Sequence, residues 1–207
     1  NGFKVVYRNM PSQDRVYYTL ALNGGYGSIP DLSSGEGAFL ADYLDLCFIA
    51  GLKAADFKSI LASEGITMNA TVNLSNTLVS GYAPENNISL LMRSLLALAS
   101  DRRPDDSAFA YYSKCNELSL KHQAGSDMAR MTAIDSIMCP GYIYSSYKAP
   151  GKLTPAFAAK AEKFYSGQFT KMNDGVLVIV GDINEDVLKK TLRQYAGAFT
   201  VKDAAFR

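Results

Sequence analysis

The chain has 207 residues, 48% hydrophobic and 20% charged, and its 21 Lys+Arg against 20 Asp+Glu give a formal net charge of +1. Those proportions describe a globular chain long enough to bury a sizeable core. The balanced charge without a basic stripe argues against a nucleic-acid surface, and no apolar run is long enough to cross a bilayer.

Cysteines 47, 115 and 139 form no C-x-x-C pair and read as free buried thiols. The one histidine, His122, weighs more, because a tetrahedral catalytic zinc takes three protein ligands, usually with histidine among them. Cys115, Glu117 and His122 lie close in sequence, but their spacing does not bring them to one helix face, so they make no metal site.

Residues 3–8 alternate and are rich in strand formers, and Asn9, Pro11 and Ser12 end the run. A second strand is expected over 15–22, with Val16, Tyr18, Leu20 and Leu22 on one face. The apolar stretch 35–51 is of helical length, bounded by Gly35 and Gly51 and preceded by Asp31, Ser33 and Ser34 as candidate caps. Phe39 and Tyr43 sit four apart within it and predict a core ridge, extended by Leu46, Cys47 and Ala50.

A short helix follows over 53–64, with Phe57, Ile60 and Leu61 as its apolar stripe and Gly65 past its end. Residues 66–72 alternate between Ile66, Met68, Ala70 and Val72 on one side and Thr67, Asn69 and Thr71 on the other. Turn chemistry at 73–76 then leads into a partner strand over 77–83. Ile88, Leu91, Met92, Leu95 and Leu98 mark the clearest amphipathic helix, over 86–100.

Residues 101–106 read as a loop, followed by helices over 107–122 and 127–138. Cys139, Pro140 and Gly141 stop the second of these, and 142–151 is an aromatic loop. Thr154 caps a helix over 154–168 with Pro155 at its first position. The apolar run 175–180 reads as a central strand, and Asn184 caps a last helix through Tyr195. Two hairpin-like strand pairs, a run of helices, then a strand and a helix predict an α+β fold, a mostly antiparallel sheet with helices layered on one face. No linker divides residues 1–207, which read as a single domain. With no initiator Met and no signal pattern, the chain reads as a fragment of a longer multidomain protein.

The order of these elements, with their local motifs, resembles a domain of the insulinase and mitochondrial-processing-peptidase family, the inverted-motif zinc metallopeptidases. Asn1-Gly2 opens a first strand, and Gly37-Ala38-Phe39-Leu40-Ala41-Asp42-Tyr43-Leu44 stands where the family has its His-x-x-Glu-His helix. Asn69-Ala70-Thr71, Pro84-Glu85, Pro140-Gly141-Tyr142 and the closing Val178-Ile-Val-Gly181-Asp182 match further family positions. Placed in that frame, Phe39 and Tyr43 occupy the histidine positions, Asp42 the glutamate position, and Glu117 falls near the later glutamate ligand. Phenylalanine cannot ligate a metal, and Glu117 reads rather as an exposed i,i+4 partner of Lys121, since one carboxylate without imidazole partners makes a poor zinc site.

The resemblance therefore implies a degenerate, zinc-free peptidase domain without catalytic residues. Such a domain would bind no cofactor itself and would work beside a homologous zinc-bearing domain or subunit, helping to form a peptide-binding chamber. Asn69, Ala70 and Thr71 would be its substrate-binding strand, and the aromatic loop with Lys148 a chamber wall. A structural or assembly subunit with no proteolytic role is the alternative, and a hydrolase with an unconventional site a third. The resemblance leans toward the bacterial periplasm or cell envelope.

Overall fold

The computed structural model describes residues 3–33, 35–138, 151–170 and 172–195. Asn1-Gly2, Ser34, Cys139 and the aromatic segment with Tyr142 and Lys148 lie outside the described residues.

A five-stranded sheet in the order β1-β8-β2-β6-β5 forms the frame. Its strands are β1 (Lys4–Asn9), β2 (Arg15–Asn23), β5 (Asn69–Val72), β6 (Asn76–Pro84) and β8 (Val176–Gly181). All pairs are antiparallel except β1 with β8. The predicted pairing of the first two strands does not form, because β8 lies between them; β5 and β6 make the predicted hairpin. Alternation decides which side is covered: Val16, Tyr18, Leu20 and Leu22 of β2, Val79 and Ala83 of β6, and Leu177 and Ile179 of β8 are all buried.

Against these residues pack α1 (Leu40–Tyr43), α3 (Ile88–Ser100) and α6 (Pro155–Thr170), joined in one hydrophobic cluster. α3 buries Ile88, Leu91, Met92, Leu95 and Leu98, the whole predicted stripe. α7 (Glu185–Tyr195), capped by Asn184 Oδ1 accepting from the N–H groups of Asp186 and Val187, packs on α3. α4 (Asp106–Gln123) and α5 (Asp127–Met138) run along the outside, and no residue of α4 is fully buried. Asp105 caps α4 by accepting from Ser107 N and Ala108 N, both at 3.0 Å.

α2 (Ala54–Ser63) closes in a Schellman motif, with Ile66 N donating to Leu61 O at 2.8 Å and Gly65 N to Ala62 O at 3.0 Å. Gly65 takes the left-handed conformation this requires, at φ 72°. Phe57 and Leu61 point into the core as expected, but Ile60 is 49% exposed.

Two expectations change locally. The predicted helix 35–51 is helical only from Gly37 to Leu46, as α1 between two 3-10 turns, Gly37–Phe39 and Leu44–Leu46. Cys47–Ile49 is instead strand β3, turned by Ala50 and Gly51 (φ 52° and 74°) into β4 (Leu52–Lys53). The predicted loop 101–106 supplies β7 (Arg102–Pro104) on the other side of β3, so a small second sheet runs β4-β3-β7. Ala50, expected in the core ridge, is exposed at that turn.

Candidate functional site

The site begins with the ten-residue helical stretch around α1. Ser33 N donates to Glu36 Oε2 at 2.8 Å while Glu36 N donates to Ser33 O at 3.1 Å, a reciprocal pair that fixes the entry. Lys160 of α6 adds an ion pair to Glu36 at 2.9 Å. Burial works against the Glu36 carboxylate, but the Ser33 and Lys160 contacts hold its pKa below the usual range.

One side of the stretch belongs to the core. Phe39 and Tyr43 are 1% and 2% exposed, and Leu40 and Leu44 are buried beside them. Their spacing of four matches residues eight apart on α6. Phe39 meets Phe157 edge-on at 6.2 Å, and Tyr43 stacks on Tyr165 at 6.2 Å with planes 9° apart. Tyr165 also donates to Leu40 O at 2.6 Å. Burying each such side chain stabilises the fold by about 1.5–3 kcal/mol.

The other side carries Ala38, Ala41 and Asp42, all half-buried. Asp42 Oδ2 accepts the Tyr112 hydroxyl of α4 at 2.7 Å. Burial raises the Tyr112 phenol above its ordinary pKa, reinforced by that carboxylate, so the tyrosine remains a donor. Glu117, further along α4, is exposed, and no ion pair with Lys121 occurs among the described residues.

Metal chemistry does not fit these side chains. Among the described residues no three His, Cys, Asp or Glu side chains gather to hold an ion. Phe39 and Tyr43 face inward, and the accessible side offers two alanines and a carboxylate already hydrogen-bonded to Tyr112. Cys115 and His122 are exposed on α4, so Cys115 departs from the expected buried thiol, whereas Cys47 is buried.

Beside α1 runs β5, an edge strand of the large sheet. Asn69 and Thr71 are exposed and Ala70 is half-buried, in the predicted alternation. β5 pairs with β6 on one side, and on its other side no strand of the described residues pairs with it.

Beneath α1 lies an ionic cluster that the sequence reading did not single out. Arg102 of β7 grips Glu162 of α6 through two hydrogen bonds, at 2.5 and 3.1 Å. Ser166 donates to the same carboxylate at 2.9 Å, and Tyr43 OH lies 3.4 Å away. A signal was present: Glu162 sits on the stripe Ala158, Glu162, Tyr165, Phe169, an acid where helical spacing calls for an apolar residue.

Neither a protein-family model nor a curated protein sequence matches the chain. Solved structures share its fold. The periplasmic protease PqqL of Escherichia coli superposes with a TM-score of 0.76 at 18% identity, over 100% of this chain and 23% of that one. A protease from Helicobacter pylori gives 0.76 at 15% identity, over 100% and 50%. A peptidase M16 inactive domain from Pseudomonas fluorescens gives 0.71 at 12% identity, over 98% and 50%. The chain thus has the α+β fold of the M16, insulinase-like peptidases, and it spans half or less of each of these relatives.

Proposed function

We propose that the chain is a non-catalytic domain of an insulinase-like zinc metallopeptidase, helping a zinc-bearing partner domain to form a peptide-binding chamber. The observation that carries this reading is the accessible face of the α1 stretch. An inverted zinc helix needs histidines at i and i+4 and a glutamate at i+3, all turned away from the core. On the accessible face those offsets fall on Ala38, Ala41 and Asp42. That register replaces the one through Phe39 and Tyr43, whose side chains form core. With two alanines, the position has neither ligand imidazole nor general base.

Peptide binding does not need those groups. The edge of β5, with Asn69, Ala70 and Thr71, can pair an extended peptide through backbone hydrogen bonds. The partner proposal draws on the share of each relative that the chain spans, which leaves room for at least one further domain.

The test uses the intact protein with its zinc-bearing half, from the same polypeptide or a separate subunit. Complex formation with raised peptide cleavage over the zinc half alone is expected. A stable complex without stimulation would point to the assembly role, and no complex would refute the proposal. We extend the proposal to compartment, since PqqL is periplasmic; cell fractionation should find the intact protein in the envelope, and a cytosolic location would refute that extension.

A further inference from the structure

A sheet with one face in water alternates apolar and polar residues, because only the covered face has to leave solvent. β8 breaks that pattern. Leu177 and Ile179 point into the core, yet the outward positions are again valines, Val176, Val178 and Val180. Register carries the apolar surface sideways. Val178 lies between Val6 of β1 and Thr19 of β2, and Val180 lies beside Tyr17, with Tyr82 of β6 next in the row. Val6 is 44% and Tyr17 48% exposed. None of these side chains belongs to the hydrophobic cluster that gathers α1, α2, α3 and α6 on the opposite face.

Size and charge restrict what can cover this face. From β1 to β6 there are three steps between neighbouring strands, about 14 Å, and Lys4 to Arg8 measures about 13 Å along β1. Three turns of a single α-helix have that footprint, about 16 Å by 10 Å. A face of this size is well short of the roughly 800 Å² per side that separate chains bury in a stable complex. It suits an occupant tethered to the same polypeptide, whose effective concentration makes a small contact sufficient. The charged side chains at strand positions of this face are all basic: Lys4, Arg8 and Arg15. Arg15 lies over the Tyr82 ring at 5.0 Å, and Lys4 and Arg8 make no ion pair among the described residues. Asp14, Glu85, Asp174 and Asp182 stand beyond the strand ends. A second copy of this face would set bases against bases, which disfavours self-pairing.

We propose that this open face seats one amphipathic helix from a further domain of the intact polypeptide. Its aliphatic residues lie over Val176, Val178 and Val180, and its acids meet Lys4 and Arg8. The inference rests on the multidomain reading above: the solved relatives, of which this chain spans half or less, have the additional length such a helix requires.

Intact protein carrying Val6→Cys is treated with a fluorescein maleimide, with exposed Cys115 as the internal standard and buried Cys47 as the check that the fold is kept. The cysteine at position 6 should react at least a hundredfold more slowly than Cys115, and equal rates overturn the proposal. Lys4→Glu with Arg8→Glu should speed its labelling at least tenfold while Cys47 stays unlabelled; an unchanged rate overturns the acidic helix. Benzoylphenylalanine in place of Thr19, photolysed and followed by peptide mass spectrometry, then identifies the occupant. A cross-link to an acid-flanked apolar segment outside residues 1–207 is expected, and cross-links confined to residues 1–207, or to lipid, overturn the proposal. Protection at position 6 without raised peptide cleavage keeps this helix and removes the chamber reading, whereas raised cleavage with free labelling does the reverse.

Discussion

Arg102 holds Glu162 by two hydrogen bonds across 60 residues of sequence, with the arginine side chain only 4% exposed and that of the glutamate 29%. The guanidinium carbon also lies 5.6 Å from the Tyr165 ring centre and 6.0 Å from that of Phe169. This pair ties the small sheet to α6 directly behind α1. Removing one partner strands a charge in the interior. Glu162→Ala should therefore cost about 3 kcal/mol in urea unfolding, and Arg102→Met combined with Glu162→Leu should regain most of that. A double variant no more stable than the single one would refute it.

Acid should act on the same region. Burial disfavours ionised Glu162, yet Arg102, Ser166 and Tyr43 together keep its carboxyl below the usual pKa, as Ser33 and Lys160 do for Glu36. A lowered folded-state pKa means the stabilisation is complete above the unfolded value of about 4.3 and is lost as pH falls through the lower folded values. The urea midpoint should stay level from neutral pH down to that point and then drop. Glu162→Gln should show a shallower drop, and an identical acid profile would count against the assignment.

Cysteine chemistry offers a direct readout of packing. Burial pushes the Cys47 thiol up to about 11, with Arg102 opposing part of the rise, and Cys47 donates to Tyr43 O at 3.3 Å. Iodoacetamide at pH 8, followed by peptide mass spectrometry, should label exposed Cys115 in minutes and Cys47 only after denaturation. Rapid labelling of native Cys47 would contradict the described core.

The register of the α1 stretch can be tested by rebuilding it. Ala38→His with Ala41→Glu and Asp42→His places an inverted zinc motif on the accessible face and should raise zinc affinity above that of the parent while the fold survives. Phe39→His with Tyr43→His puts imidazoles where both side chains are buried. It should cost about 3 kcal/mol or more and gain no metal. Zinc competition titrations and thermal melts distinguish the two, and the reverse pattern would restore the Phe39 and Tyr43 register.

Much of the fold was legible because the code was local. The alternation in β2 and the stripe in α3 each point one way, and the structure follows both. Three features were not. Cys47–Ile49 continues an apolar run, so nothing short of the Ala50 and Gly51 turn separates strand from helix. β7 exists only because β3 is there to pair with it. Which face of the α1 stretch meets α6 depends on Phe157 and Tyr165, more than a hundred residues away, and the register proposed above differs by one residue from the one through Phe39 and Tyr43, which are core. Side-chain spacing alone could not distinguish Phe39 and Tyr43 from Ala38 and Asp42.

Among the described residues β1 joins the large sheet solely through β8, and Tyr7 OH donates to Ile183 O at 2.7 Å across 176 residues. A ribosome must therefore emit nearly the whole described chain before the first strand can find its place. Until then the nascent segment holds β2 with an unfilled edge, a surface for chaperones or for wrong partners. Stalling synthesis before Val176 should leave β1 sensitive to protease while the β5–β6 hairpin is already protected, so that assembly of this domain is timed by its last strand.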